Sequence, residues 1–143
     1  MNQFNRRDFL KGSSALMTLA SFGLLGMDFK DQTGPIRVAL IGTGWYGKSD
    51  LFRLIQVADV EVVGLADPDR RILEAAGKLV SERQKSKKVP ALYEDYQELL
   101  KKEKAEYVLI GSPDHWHALM AIDALKAGAH VYLQKPISVD VIE

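Results

Sequence analysis

The chain has 143 residues, of which 47% are hydrophobic, enough for one domain with a buried core. Its 19 basic residues balance its 19 acidic ones, so its charge gives no reason to expect nucleic-acid binding. It contains no cysteine, which excludes disulfides, thiolate nucleophiles and cysteine-ligated zinc and is compatible with an oxidising compartment.

The N-terminal segment, residues 1–27, differs in character from the rest. Arg6 and Arg7 precede Phe9-Leu10-Lys11, and residues 12–26 are small or apolar and uncharged. This segment resembles a twin-arginine (Tat) export signal, which predicts passage through the Tat machinery and a periplasmic or exported location. An apolar run of about 15 residues is short for a membrane span. No Ala-x-Ala cleavage site is evident, so an uncleaved N-terminal anchor stays open, and a short amphipathic helix is the other interpretation.

Residues 28–35 form a polar linker that ends in Gly34-Pro35, so the predicted globular domain covers residues 36–143. Its first element is a strand over residues 36–41. That strand is almost entirely apolar, as is typical of strands covered on both faces in a parallel sheet.

Three glycines follow the strand with the spacing G-x-G-x-x-G, at Gly42, Gly44 and Gly47. Gly42 permits a tight turn, Gly44 allows a pyrophosphate to approach the backbone, and Gly47 allows close packing of the helix predicted over residues 46–57. The amides and dipole at the start of that helix favour phosphate. The pattern also occurs in ordinary glycine-rich turns, so it needs support from other residues.

The second predicted strand, residues 60–67, supplies that support because it ends on Asp67. A dinucleotide-binding fold places a carboxylate there, about 20 residues after the glycines, to bind the adenosine ribose hydroxyls. Such a carboxylate repels a 2′-phosphate, so NAD is favoured, although Arg70 and Arg71 keep NADP as an alternative. Asp67 as a helix cap is the other interpretation, but Asp69 can fill that role alone.

The later elements continue to alternate between helix and strand. We predict an amphipathic helix over 70–84, a short strand over 89–93 that Pro90 confines to an edge, a helix over 94–103 and a strand over 107–112. This order predicts an α/β fold with a doubly wound parallel sheet, a Rossmann-type arrangement in which ligands bind at the carboxyl ends of the strands.

The sequence Ser112-Pro113-Asp114-His115-Trp116-His117 follows the fourth strand and leads into a helix over 118–127. Asp114 is in position to cap that helix, and the three rings after it fall in the first turn, facing the cofactor edge. Two histidines separated by one residue suggest a metal, but on a helix they point about 200° apart, so no metal site is predicted. Trp116 either packs in the core or forms an aromatic wall near the nicotinamide.

A fifth strand, residues 129–133, is followed by Gln134-Lys135-Pro136. The combination of GTGWYG, the acidic tip of the second strand, SPDHWH and GAHVYLQKP resembles the Gfo/Idh/MocA family of sugar and polyol oxidoreductases over residues 36–143. The family motif is usually Glu-Lys-Pro, so Gln134 replaces a glutamate. The resemblance implies that Lys135 contacts the substrate hydroxyl and the nicotinamide and assists catalysis, and that the proline after it holds the turn, often with a cis peptide bond.

These motifs and the resemblance together predict NAD as the cofactor and Lys135 as a catalytic residue. The predicted cofactor contacts lie at four strand tips: Gly42, Thr43, Gly44, Trp45, Tyr46, Gly47, Asp67, Ser112, Pro113, His115, His117, Gln134, Lys135 and Pro136.

Members of the family continue into a second α+β domain, which supplies the substrate pocket and usually an acid or base. We therefore expect this chain to be an incomplete member that is inactive alone, and we leave homo-oligomerisation of the full-length protein open. For the complete relative, the resemblance implies hydride transfer between a sugar or polyol carbon and the nicotinamide. The alternatives are a redox-neutral, NAD-dependent glycosidase of the same family and a catalytically inactive dinucleotide-binding fragment.

Overall fold

The structure is a computed structural model that describes residues 34–139. The predicted signal segment, most of the predicted linker and the last four residues lie outside the described residues. Between residues 34 and 139, no helix has the length and apolar character that a membrane crossing requires.

Strands and helices alternate throughout this region, as the sequence predicts. Their bounds are β1 (Ile36–Ile41), α1 (Trp45–Val57), β2 (Val60–Ala66), α2 (Arg70–Arg83), β3 (Ala91–Tyr93), α3 (Tyr96–Glu103), β4 (Tyr107–Ile110), a 3-10 turn (Asp114–Trp116), α4 (His117–Lys126) and β5 (His130–Leu133).

The described strands form one parallel sheet in the order β3-β2-β1-β4-β5. The chain therefore winds first to one side of β1 and then to the other, which confirms the predicted doubly wound fold. The central strand β1 pairs with β2 up to Ile41↔Ala66 and with β4 up to Ile41↔Ile110, so three strand tips end side by side. β3 lies at the edge, as Pro90 predicts.

Two helix layers cover the two faces of this sheet. Alternate residues of β1 point to opposite faces, so each face receives its own part of the core. One part joins β1 to α1 and α2 through Val38, Leu40, Leu51, Leu73 and Val80, and the other joins β1 to α3 and α4 through Ala39, Ile41, Leu99, Val108 and Ala124.

The helix starts show where the predicted bounds need correction. Asp69 caps α2 by accepting a hydrogen bond from the Arg71 N–H (3.0 Å), as predicted, and Asp95 caps α3, so that helix begins later than residue 94. The prediction that Asp114 caps α4 is wrong. Asp114 lies inside the 3-10 turn, and the residue before α4 has helical backbone angles with no side-chain cap.

Candidate functional site

A groove of about 610 Å³ opens at the carboxyl ends of β1, β2 and β4. Five of the predicted cofactor contacts line it, namely Gly42, Gly44, Asp67, Ser112 and Pro113, and Trp116 forms part of its wall. The groove also contains residues that the sequence analysis did not propose: Glu94, Asp95, Tyr96, Gly111 and Met120.

The floor of this groove is a tight contact among glycines. Gly42 has φ +87°, and a Cβ added there would lie 2.7 Å from backbone atoms of Gly111 and Ser112. A Cβ at Gly47 would overlap the Gly42 carbonyl oxygen, and one at Gly111 would lie 2.9 Å from the Gly47 Cα. Gly42 and Gly47 therefore act as predicted, and Gly111 is the missed third member. Its signal is a glycine directly after β4, just as Gly42 directly follows β1.

Gly44 has a different environment. No heavy atom lies within 4 Å of the position that its Cβ would occupy, and it precedes α1 without a side-chain cap and without an acidic residue in the first turn. The starts of α2 and α3, by contrast, carry aspartate caps. The amides at the start of α1 are therefore available to an anionic group in the groove.

Asp67 is held firmly at the edge of the groove. Its Oδ2 accepts hydrogen bonds from the Thr43 N–H (2.8 Å) and hydroxyl (3.0 Å), and its Oδ1 accepts one from the Asp69 N–H (2.9 Å). Thr43 is fully buried, so it orients the carboxylate from beneath. Each carboxylate oxygen accepts about two hydrogen bonds, so Oδ1 keeps a lone pair for a ligand hydroxyl.

Ser112 presents a polar atom that lacks a partner. Its hydroxyl oxygen is buried and forms no hydrogen bond within the described part of the chain. Burying a hydroxyl without a partner is unfavourable by about 1–3 kcal/mol. A polar ligand atom in the groove would satisfy it.

A second groove of about 230 Å³ adjoins the tips of β4 and β5. Its lining brings together four predicted residues, Tyr46, His117, Gln134 and Lys135, with Asp114, and it shares Gly111 and Ser112 with the larger groove.

His117 connects the two loops of this smaller groove from a buried position. Its Nδ1 lies 2.6 Å from the Pro136 carbonyl oxygen, and its Nε2 lies 2.9 Å from the Ser112 carbonyl oxygen. Carbonyl oxygens only accept, so a ring nitrogen of His117 that carries a hydrogen donates it to the carbonyl oxygen that it faces. His115, in contrast, is exposed and lines neither groove. Within residues 34–139, no cluster of His, Asp or Glu is arranged to hold a metal ion.

Gln134 joins β5 to α1 beside Lys135. Its amide nitrogen donates to the Asp50 Oδ2 (3.0 Å), and its amide oxygen accepts a hydrogen bond from the Lys135 backbone N–H (3.0 Å). The Lys135–Pro136 peptide bond is cis, as the resemblance implies. The Lys135 side chain is exposed in the groove, and no carboxylate of the described residues forms a salt bridge with its ammonium.

Some predicted contacts lie outside both grooves. Thr43 and Gly47 are buried beneath the turn and support it. Trp45 is 76% exposed and packs edge-on against Tyr46, with ring centroids 5.1 Å apart. Pro136 contributes its carbonyl oxygen to His117.

Two ionisable groups in or beside the larger groove, Tyr96 and Asp69, have shifted pKa values. Burial, together with a hydrogen bond to Asp123 (2.8 Å), raises the pKa of Tyr96, so its hydroxyl stays neutral and donates. The hydrogen bond from the Arg71 side chain lowers the pKa of Asp69, so this carboxyl stays ionised.

An uncapped helix start after a glycine turn, a fixed carboxylate at the next strand tip and an unsatisfied hydroxyl in the loop after β4 together define an NAD-binding Rossmann domain. A family model described as "Oxidoreductase family, NAD-binding Rossmann fold" matches residues 36–143, so the chain belongs to the Gfo/Idh/MocA family.

Three similar proteins are longer than this chain. "Glycosyl hydrolase family 109 protein 1" of a Shewanella species is 30% identical over an alignment of 166 residues, gaps included, that covers 100% of this chain and 36% of that protein. "Alpha-N-acetylgalactosaminidase" of Shewanella oneidensis is 30% identical over 112 residues, 76% of this chain and 24% of that protein. A crystal structure of myo-inositol dehydrogenase from Lactobacillus casei in complex with NAD(H) and myo-inositol superimposes with a TM-score of 0.64 and 27% identity, over 73% of this chain and 29% of that one. The aligned part of the chain thus spans between about a quarter and about a third of the length of these proteins.

Proposed function

We propose that this chain is the cofactor-binding part of an enzyme that transfers a hydride between NAD and a hydroxyl-bearing carbon of a sugar or polyol. The observation that carries the proposal is the smaller groove. It contains the Lys135 side chain, which has no carboxylate partner among the described residues, and it shares Ser112, whose hydroxyl has no hydrogen bond among those residues, with the dinucleotide groove. The inositol dehydrogenase complex supports a polyol as the substrate class.

NAD, when bound, supplies the hydride acceptor. The chain's own residues have four separate tasks. The amides at the start of α1 bind the pyrophosphate, Asp67 binds the ribose hydroxyls of the adenosine, Ser112 and Tyr46 hold the nicotinamide end, and Lys135 binds the substrate hydroxyl. A base from outside the described residues would accept the proton of that hydroxyl, and the Lys135 ammonium would stabilise the negative charge that develops on the oxygen.

A redox-neutral glycosidase is the second candidate, because relatives 30% identical to this chain are named as glycosyl hydrolases. In that reaction the hydride returns to the sugar before product leaves, so no NADH accumulates. In both candidate reactions the residues described above have the same roles. The reactions differ in their products, because the dehydrogenase releases NADH and the glycosidase releases the group bound to the sugar.

Titration of the purified chain with NADH tests the proposal. The two tryptophans, Trp45 and Trp116, flank the glycine turn and the larger groove, so we expect saturable quenching of their fluorescence with energy transfer to NADH. Absence of any change at millimolar NADH would contradict the proposal.

A turnover assay separates the two candidates. Because the cofactor-binding part alone is expected to be inactive, the full-length enzyme is supplied with NAD and either myo-inositol or an aryl N-acetyl-α-galactosaminide. Accumulation of NADH indicates a dehydrogenase, and release of the aryl group without NADH accumulation indicates a glycosidase. Lys135→Met is expected to abolish either activity while it leaves NADH binding within about twofold, because Lys135 lies exposed and outside the larger groove.

We also propose that residues 1–27 direct export through the Tat machinery, based on the Arg6-Arg7 pair and the uncharged run that follows. A folded reporter fused after residue 35 is expected to reach the periplasm. Replacing both arginines by lysine should keep it in the cytoplasm, and unchanged export of that variant would refute the proposal.

A further inference from the structure

One wall of the larger groove is acidic. Asp67 at the tip of β2, with Glu94 and Asp95 from the turn between β3 and α3, line this wall, and no Lys or Arg is among the described residues of the lining. The Asp67 N–H donates to the Tyr93 carbonyl oxygen (3.0 Å), which holds the two segments side by side. We call Asp67, Glu94 and Asp95 the acidic wall.

The three carboxylates of the acidic wall differ in what holds them. Asp67 accepts from the Thr43 and Asp69 backbone, and Asp95 accepts from the Gln97 N–H as the cap of α3. Glu94 instead pairs with a side chain, because its Oε1 lies 3.1 Å from the Arg70 Nη1. Glu94 is therefore the member of the acidic wall that also forms an ion pair with a nearby cation, the Arg70 guanidinium.

Arg70 is the first residue of α2, and its guanidinium is shared between two carboxylates. Its Nε lies 3.0 Å from the Glu74 Oε1, on the side opposite its contact with Glu94. Arg71 is likewise paired with Asp69, at 3.1 Å. Both arginines that the sequence offers for an additional phosphate are thus engaged by acids.

We infer that Glu94 is a specificity-determining residue of the cofactor site, which disfavours the 2′-phosphate of NADP(H) by adding negative charge to the acidic wall and by engaging Arg70. This inference rests on the proposed use of the groove for a dinucleotide, and it adds a determinant to the ribose-binding role of Asp67. A dianionic phosphate near three carboxylates is repelled, whereas the ribose hydroxyl of NAD carries no charge. With Glu94 neutral, the wall loses one charge and Arg70 loses one of its two partners.

The size of the effect follows from exposure. The side chains of Arg70 and Glu94 are 73% and 58% exposed, so solvent screens their interaction and the ion pair is easily exchanged. Removing one charge at such a surface changes the affinity for a phosphate by about three- to tenfold. The effect should shrink at high salt, since the interaction is a screened Coulomb term.

Glu94→Gln and Glu74→Gln test the inference as a matched pair. Both variants remove one charge and one partner of Arg70, but Glu74 does not line the groove. Dissociation constants for NADH and NADPH are measured with the whole chain by tryptophan fluorescence at low and high salt. We expect Glu94→Gln to bind NADPH about three- to tenfold more tightly with NADH binding unchanged within about twofold, and Glu74→Gln to change either by about twofold or less. Adding Arg70→Ala to Glu94→Gln should remove only the part of the gain that comes through Arg70, so most of the gain should remain.

Two results would overturn the inference while NADH binding persists: no gain for NADPH in Glu94→Gln, or an equal gain in Glu74→Gln, which would show a general charge effect. Failure of the unmodified chain to bind NADH would overturn the proposed function itself, and the inference with it.

Discussion

The two halves of the strand-tip edge are built on different principles. At the tips of β1 and β2, polar groups pair within the protein, since Thr43 and Asp69 hold Asp67 and the glycines fit against each other. At the tips of β4 and β5, one buried ring, His117, holds the loops together. Among the described residues, the Ser112 hydroxyl has no hydrogen-bond partner and the Lys135 ammonium has no carboxylate partner. In the first half, contacts within the protein fix the binding groups in position. In the second half, the Ser112 hydroxyl and the Lys135 ammonium remain for a ligand to engage.

This difference separates binding from chemistry. Groups that hold a cofactor and groups that stabilise charge on a reacting atom both work best when the protein positions them in advance, but the second kind must also keep its hydrogen-bonding capacity for the ligand. Substitutions in the first half should therefore affect folding or affinity, and those in the second half should affect the arrangement around Lys135.

The largest expected effect is that of Gly47→Ala. The added Cβ would overlap the Gly42 carbonyl oxygen and lie 3.2 Å from a Leu40 methyl, so the turn or the helix must move. We expect a loss of about 3 kcal/mol or more in the free energy of unfolding, measured by urea denaturation, together with loss of NADH binding.

Gly44→Ala is the matched control for that variant. The space around Gly44 is open and its φ is −59°, so alanine should fold equally well or gain about 0.4–1 kcal/mol. NADH affinity should nevertheless fall at least about tenfold, because the Cβ stands where the pyrophosphate approaches the backbone. If Gly44→Ala binds NADH as tightly as the parent chain, the glycine turn is not part of the cofactor site.

An intermediate effect is expected from His117→Ala. This change removes a buried ring and leaves the part-buried Ser112 and Pro136 carbonyl oxygens without their partner, which should lower the free energy of unfolding by about 2–4 kcal/mol. The exposed His115, replaced by alanine, should cost about 0.5 kcal/mol or less. Equal losses in the two variants would show that His117 does not hold the loops together.

The smallest effect should come from Gln134→Glu, which restores the usual family residue. The new carboxylate would face the Asp50 carboxylate, to which the present amide donates at 3.0 Å. We expect about 1 kcal/mol of destabilisation at neutral pH, and recovery in the double variant with Asp50→Asn. If Gln134→Glu alone is as stable as the parent chain, the Asp50 carboxylate is not the reason why this chain has glutamine rather than glutamate at position 134.

Local patterns in the sequence were enough to predict the fold and the first half of the edge. A short stretch of sequence is enough to identify each of three features: the apolar run of β1, the glycine spacing and the aspartate at the tip of β2. Asp69 was likewise predictable as a cap because the cap and its amide are two residues apart.

What the sequence analysis missed depends on contacts between distant segments. Gly111 matters because of its fit against Gly47, and Glu94 joins the wall because β3 pairs with β2. The partner of Gln134 is 84 positions away, so no spacing rule points to Asp50. The wrong cap assignment at Asp114 has a local cause, because a 3-10 turn and an α-helical first turn have similar sequence preferences.

The pairing of β1 with β4 has a consequence for how the protein is made. Arg37 in β1 donates its N–H to Glu106, which lies 69 positions later, just before β4, so the centre of the sheet closes across a long stretch of chain. During synthesis, the glycine turn leaves the ribosome well before Gly111, against which it packs. The glycine turn is the first part of the cofactor site to be synthesised, but it is complete only after β4 has joined the sheet. NAD should therefore bind only to chains in which β4 has already paired with β1.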